Sequence, residues 1–330
     1  MKFGPVPIDQ AIGAILAHSE QLPDGRLRKG VVLDGDHLKV LRAAGFDEVT
    51  VARLEPGDLH EDAAAAELAR ALLGQGRDIH LSAPFTGRVN LSAERPGVVR
   101  LDADKINAAN AVDPMITVAT VPDFHQIRTG GMIATVKIIA YGVPVAALAR
   151  AADLARDAVR LVQAKHRTAS LIVTDIPGGP GTKGAEAIAA RVTGLGMELI
   201  ETRTCAHDAT ALAQDIAAAR GDIVLILTAS ATSDPFDTAP QALRLAGGTV
   251  TRFGMPVDPG NLLFLGDLRG TPVIGLPGSA RSPVLHGADW VLSRVACGLS
   301  VGSAEMAAMG VGGLLKEIPT RPQPRRAGRD

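Results

Sequence analysis

The sequence predicts an α/β protein: a C-terminal three-layer αβα domain with a mostly parallel sheet, preceded by a mixed α/β segment and a β-rich module. Three observations predict it. From residue 169 onward, short apolar runs alternate regularly with helical segments, the pattern of strands joined by crossover helices into a sheet covered on both faces. Between 79 and 143, apolar runs are broken by Gly, Pro and Asn every few residues, which is a β texture. Two apolar runs, 223–227 and 272–276, stop abruptly in small and hydroxyl-bearing residues, where an open α/β sheet places its ligand loops.

Taken in order, residues 8–20 carry apolar side chains at 8, 11, 12, 15 and 16, a stripe that predicts a helix. Asp34 or Asp36 caps a second helix over 36–44, which Gly45 ends. A short strand follows at 48–51, and an Ala-rich amphipathic helix at 61–75. In the β-rich stretch, Gly130-Gly131 marks a turn before a strand at 132–140, and 102–111 reads as helix. The segment PFTGRVNL, 84–91, reads as a β-turn or as a pocket wall. Helix returns over 145–164. Then strands at 169–174, 197–204, 222–228, 249–254, 261–268 and 271–277 are separated or closed by helices at 181–196, 207–221, 237–248 and 280–298. The chain is thus divided into a mixed segment (1–78), the β-rich module (79–144), a helical connector (145–166) and the α/β domain (167–310). The Pro/Arg-rich tail (311–330) is expected to be disordered.

Composition excludes several classes. The 330 residues carry a formal net charge of -1, so no general field attracts nucleic acid or an anionic membrane. Aromatics are 3%, too few for base-stacking platforms. Cys205 and Cys297 are far apart and fit no metal spacing; reduced core thiols suit a cytoplasmic location. No apolar stretch reaches the length of a membrane span, and the N-terminus lacks the apolar core of a signal peptide. No G-x-S-x-G elbow is present, and PGGPGTKG at 177–184 lacks the spacing of a phosphate loop.

The stretch from Asp222 to Ser282 carries the chemistry. Its hydroxyl loops, with Ser230, Thr232 and Ser233 and then Ser279 and Ser282, precede helical sequence. Such residues cap the helix or, with the backbone N–H groups there, hold an anion. Gly278 lets backbone approach a ligand closely. Asp175, Asp234 and Asp237 read as turn or cap residues taken alone. Lys183 is either a solvated helix-start lysine or a neutraliser of a ligand phosphate.

The last domain resembles the molybdopterin-binding domain shared by molybdopterin adenylyltransferases, molybdopterin molybdenumtransferases and gephyrin-like proteins. DIVLILTASATSDPFD stands where that family has a strand, a TGGTS loop and an Asp. RFGMPVDPGNLLFLGDLRGTPVIGLPGS is similar to the pattern FG-x-x-x-x-PG-K-P leading into LPG-N/S. SLIVTDIPGGPG lies where the family has its STGDE loop. Residues 28–54 also look like the segment preceding the domain in molybdenumtransferases. The arrangement is closest to molybdopterin-binding proteins associated with molybdenum cofactor nucleotidyltransferases.

The resemblance implies binding of molybdopterin by Thr174, Thr228, Ser230, Thr232, Ser233, Pro259, Gly260, Asn261, Pro277, Gly278, Ser279 and Ser282. It implies Mg²⁺ ligation by Asp234 and Asp237, a catalytic part for these two and Asp175, and a nucleotide (ATP or CTP) as co-substrate of a transferase. It also implies a homo-oligomer and a molybdenum cofactor nucleotidyltransferase as partner. Three departures are plain: Ala229 and Ser230 replace paired glycines, Asp175 lacks a following Glu, and Asn261 replaces a lysine. They favour the alternative reading, a non-catalytic carrier that hands the cofactor on.

Overall fold

The computed structural model describes residues 1–315. Of the tail expected to be disordered, 316–330 lies outside the described residues. Leu314 bridges to Asp258, and the Leu315 amide donates to the Asp258 carbonyl at 2.8 Å. The chain forms two compact units: Met1–Arg95 with Val99–Leu161, and Pro96–Val98 with the chain from Val162 onward. Among the described residues, no helix is long and apolar enough to cross a membrane.

The first unit is mixed α/β. Strand Glu48–Arg53 lies between Lys2–Pro7 and Ile15–Leu16, antiparallel to both. Beside it, helix Gly35–Ala43 starts at Asp34, whose carboxylate accepts from the amides of Asp36 and His37. The helix expected over 8–20 does not form. A single 3-10 turn at Ile8–Gln10 gives way to the strand Ile15–Leu16, and Gly13 sits at φ 73 between them. The apolar residues Ile8, Ala11, Ile15 and Leu16 are buried nonetheless, while Ile12 is exposed. Irregular chain buries four of the five positions of the stripe that predicts a helix.

The β-rich part is a four-stranded antiparallel sheet in the order Ile116–Thr120, Met132–Ile138, Arg88–Ala93, Ile79–Leu81. Helix Glu61–Leu73 packs on it through Ala64, Leu68 and Leu72, against Val89, Leu91, Ile133 and Val136. Thr86 (φ 48) and Gly87 (φ 68) are the two central residues of a tight turn closed by reciprocal Phe85–Arg88 backbone bonds of 3.1 Å. Positive φ at both positions is what a tight hairpin of this kind requires. Helix Val145–Leu154 stops ten residues short of the expected end at 164. Asp157 adopts φ 58, and Val159–Val162 is a strand.

The second unit is three-layered. Its strands are β1 (Thr168–Asp175), β2 (Glu198–Ala206), β3 (Ile223–Leu227), β4 (Thr249–Phe253), β5 (Phe264–Leu268) and β6 (Thr271–Leu276). Its main helices are α1 (Ala185–Gly194), α2 (Ala209–Ala218), α3 (Thr238–Leu245) and α4 (Gly287–Ala296). The sheet order is β2-β1-β3-β6-β5-β4, parallel except where β5 runs against β6 and β4. Leu171, Val173, Leu225 and Leu227 face α1 and α4. Ile172, Val224 and Ile226 face α2 and α3. Every residue of β3 is buried, which is why IVLIL shows no alternation of polar and apolar residues: both faces are covered.

Both cysteines are free. Burial pushes the Cys297 thiol up to about 11, and burial with help from Asp215 does the same for Cys205.

Candidate functional site

The strand directions bring the loops together. β1, β2, β3 and β6 run parallel, and β4 shares their direction, because β5 is antiparallel to both of its neighbours. The loops 176–184, 207–208, 228–237, 254–263 and 277–286 therefore all lie at one edge. The chain leaves β1 for β2 on one side and returns to β3 on the other. The crevice between β1 and β3 is thus a topological switch point, the usual ligand position in such sheets.

Two threonines close the bottom of that crevice. Thr174, buried at the end of β1, accepts from the Ala229 amide at 2.9 Å and shares a 2.9 Å hydrogen bond with His207 Nδ1. Thr228, buried after β3, donates to the Ser230 carbonyl at 2.6 Å. The Thr174 hydroxyl holds the end of β1 to the loop after β3, and the Thr228 hydroxyl closes a turn within that loop. Thr174→Val should leave the Ala229 amide unsatisfied and cost about 1–3 kcal/mol, read as a lower midpoint in urea.

In the 228–237 loop, Ser230, Ser233 and Asp234 are exposed and Thr232 is buried. The cap of α3 is Asp237: its Oδ1 accepts from Thr238 N at 2.7 Å and its Oδ2 from Ser233 N at 2.9 Å. These amides, Ser233 first, hold its carboxyl below the usual range. Asp234 Oδ1 accepts from the Phe236 amide at 2.8 Å. The two carboxylates expected to hold Mg²⁺ are largely engaged by backbone. Three of their four carboxylate oxygens accept from backbone amides, and among the described residues no three His, Cys, Asp or Glu side chains converge as metal ligands.

After β6, the helix expected over 280–298 is interrupted. Gly278–Arg281 is a short 3-10 turn, and α4 begins only at Gly287. Ser279 and Ser282 are exposed on this turn, Pro277 is buried and Gly278 is exposed. The helix cap is His286, whose Nδ1 accepts from Ala288 N at 3.0 Å. With Nδ1 an acceptor, neutral His286 carries its proton on Nε2, which donates to Ser279 Oγ across 2.8 Å. Ser279 keeps its own hydroxyl proton to give to a ligand, and His286 is not placed to act as its base.

Buried Arg191, on α1, holds this turn. Its guanidinium meets Asp289 Oδ1 at 2.7 Å and donates to the carbonyls of Ala280 (2.9 Å), Ser282 (2.8 Å) and Val284 (3.0 Å).

Arg281 joins three loops. Its Nη2 donates to Thr228 O and its Nη1 to Gly181 O, each at 3.0 Å, and Nη1 also reaches Lys183 O. Gly184 is needed beneath it: a Cβ there would lie 2.5 Å from Arg281 Cβ, and the residue sits at φ 87. Asp175 stands near Arg281 and favours its charge, while burial opposes it. Asp175 Oδ1 is buried without a hydrogen-bond partner among the described residues. Thr182, Lys183, Glu186, Arg281 and Pro283 line an open cleft of about 740 Å³.

Pro259 and Gly260 are buried beside the start of α4. Pro259 O accepts from Gly287 N at 2.8 Å, and a Cβ on Gly260 (φ 147) would come 3.0 Å from Gly287 Cα. Asn261 is exposed and donates to Met255 O at 3.3 Å. This loop supports the turn after β6 through backbone.

Sequence reading did not single out Arg191, His207, Arg281, His286 or Asp289. The available signals were Pro283 inside a supposed helix and the H-x-x-D spacing of His286 and Asp289, a cap pattern.

Residues 5–53 match a family model described as a domain of unknown function, DUF8806. No curated protein matches the chain. Among solved structures, the chain is similar to the molybdopterin biosynthesis moea protein from Pyrococcus horikosii, at 15% identity and a TM-score of 0.32. That match covers 90% of this chain and 76% of that one. A molybdenum cofactor biosynthesis protein from Pyrococcus furiosus gives 11% identity and a TM-score of 0.24, covering 91% and 65%. Both likenesses are too loose to carry an argument about fold or function.

Proposed function

We propose that this chain binds molybdopterin and serves molybdenum cofactor biosynthesis. One observation carries the reading: the three segments that resemble the molybdopterin-binding family end in loops at a single sheet edge, tied to one another by Thr174 and Arg281. The residues there suit a phosphorylated small molecule. Exposed Ser230, Ser233, Ser279 and Ser282 stand on or beside the two loops that the Arg281 guanidinium joins, and Arg281 lines a cleft large enough for a compact ligand. Ser279 donates from a position set by His286, and the Thr174–Ala229 bond keeps the β1 and β3 loops in register.

Of the two forms of this function, carrier and transferase, the commitment of Asp237 to a helix cap favours the carrier. Nucleotidyl or molybdate transfer depends on charge stabilisation around the moving group, and Asp234 and Asp237 are poorly placed to recruit it. As a carrier, the protein acts as a homo-oligomer and passes the pterin to a molybdenum cofactor nucleotidyltransferase or an apoenzyme. Native mass spectrometry of protein purified from a host that makes molybdopterin should show retained pterin. Incubation with molybdopterin, Mg²⁺ and ATP or CTP should leave the nucleotide intact. Nucleotide consumption would establish the transferase form instead, and absence of pterin at saturating supply would remove the reading.

A further inference from the structure

We propose that the cleft between the first turn of α1 and the 280–283 turn is an anion site, in which Lys183 and Arg281 bind a phosphate or pyrophosphate group. Arg281 has five N–H donors. Two on Nη1 and one on Nη2 are taken by carbonyls, which leaves Nε–H and one Nη2–H. Those carbonyls fix the plane of the guanidinium without neutralising it. No carboxylate forms an ion pair with it among the described residues; Asp175 acts on it only at longer range.

A half-buried cation held by neutral oxygens is desolvated with no counter-ion in contact, Asp175 acting on it only from a distance. An anion in the cleft supplies one. Lys183 lines the same cleft, is exposed, and takes part in no ion pair among the described residues. Its backbone is fixed, since Lys183 N donates to Pro180 O at 3.1 Å and its carbonyl accepts from Arg281. The two cations therefore flank one opening, with Glu186 the acid on its lining. A planar fork beside a point charge is the combination that grips phosphate oxygens. This deepens the molybdopterin reading and rests on it only for the organic part of the ligand; the charged residues stand on their own.

The test uses the full-length protein and inorganic pyrophosphate in calorimetric titration, with molybdopterin titrated in parallel. Lys183→Ala removes an exposed side chain that supports nothing in the fold, so its thermal midpoint should match wild type. Its pyrophosphate affinity should fall about tenfold, as expected for losing one charge-assisted contact. Arg281→Lys, which keeps the charge and loses the fork, should also weaken binding. Lys39→Ala, on an exposed helix of the first unit, should not. Wild type failing to bind pyrophosphate, or Lys183→Ala binding it as wild type does, would overturn the site. Molybdopterin binding that is indifferent to Lys183 would overturn it while leaving the proposed function standing. Lys183-dependent pyrophosphate binding without any pterin binding would keep the site and remove the function.

Discussion

Arg191→Met is expected to destabilise the protein by about 3–5 kcal/mol, because it strands a buried partner charge. Arg191 and Asp289 have side chains only 7% and 12% exposed, and their atoms meet at 2.7 Å. Methionine fills much of the volume but leaves Asp289 Oδ1 and the carbonyls of Ala280, Ser282 and Val284 without their donors, while Asp289 Oδ2 keeps the His286 amide at 2.8 Å. The pH dependence has a definite sign. Burial raises the Asp289 carboxyl above its ordinary 3.8, and Arg191 opposes that rise. In the variant burial is opposed only by the His286 amide, so the folded-state value climbs further. Below 3.8 the carboxyl is neutral in folded and unfolded chains alike, and the variant's deficit is smallest. As pH rises from there to the raised folded value, the unfolded chain ionises first and stability is lost. Urea denaturation should therefore show a larger gap between variant and wild type at pH 7 than near pH 4. A gap independent of pH would mean that Asp289 is not the stranded charge.

Phe264→Ala should cost about 3–5 kcal/mol through the cavity it leaves. Phe264 is fully buried and pairs with Gly275 across β5 and β6. Its ring lies directly over that glycine: a Cβ on Gly275 would approach Phe264 Cε1 to 1.9 Å. Gly275→Ala alone should therefore be overpacked, by about 1–3 kcal/mol. In the Phe264→Ala background the added methyl finds space, and its cost should shrink or reverse. Denaturant unfolding of the four members of this cycle measures the coupling. Additive losses would show that ring and glycine do not share one space.

The fold of the second unit was legible because its signals are local. IVLIL between two turn segments can only be a strand buried on both faces, and Asp208 and Asp237 stand one residue before the helices they cap. The same local logic offered Asp34 beside Asp36 as a cap in the first unit, and Asp34 is the cap; Asp102, expected inside its helix, caps it instead. It failed where a pattern fits two structures. Residues 8–20 bury their apolar side chains, Ile12 excepted, without a helix, and Gly13 was the overlooked break. Residues 280–298 contain Pro283, and the cap lies at His286 rather than at the serines.

The site was legible as a set of loops but not as a set of contacts. Arg191 and Asp289 are 98 residues apart, and Arg281 and Thr228 are 53 apart; no periodicity in the chain links such pairs. The resemblance directed attention to Asp237 as a metal ligand. Its place at the head of α3 gives the plainer chemistry of a carboxylate facing amides at a helix start.

Hydrogen exchange with and without saturating molybdopterin tests the central claim most directly. Protection should rise in peptides covering 174–184, 228–237 and 277–286, and stay unchanged across the hairpins of 79–144. Unchanged exchange in those three loops, or protection confined to the first unit, would contradict the placement of the ligand at the carboxyl edge of the parallel strands.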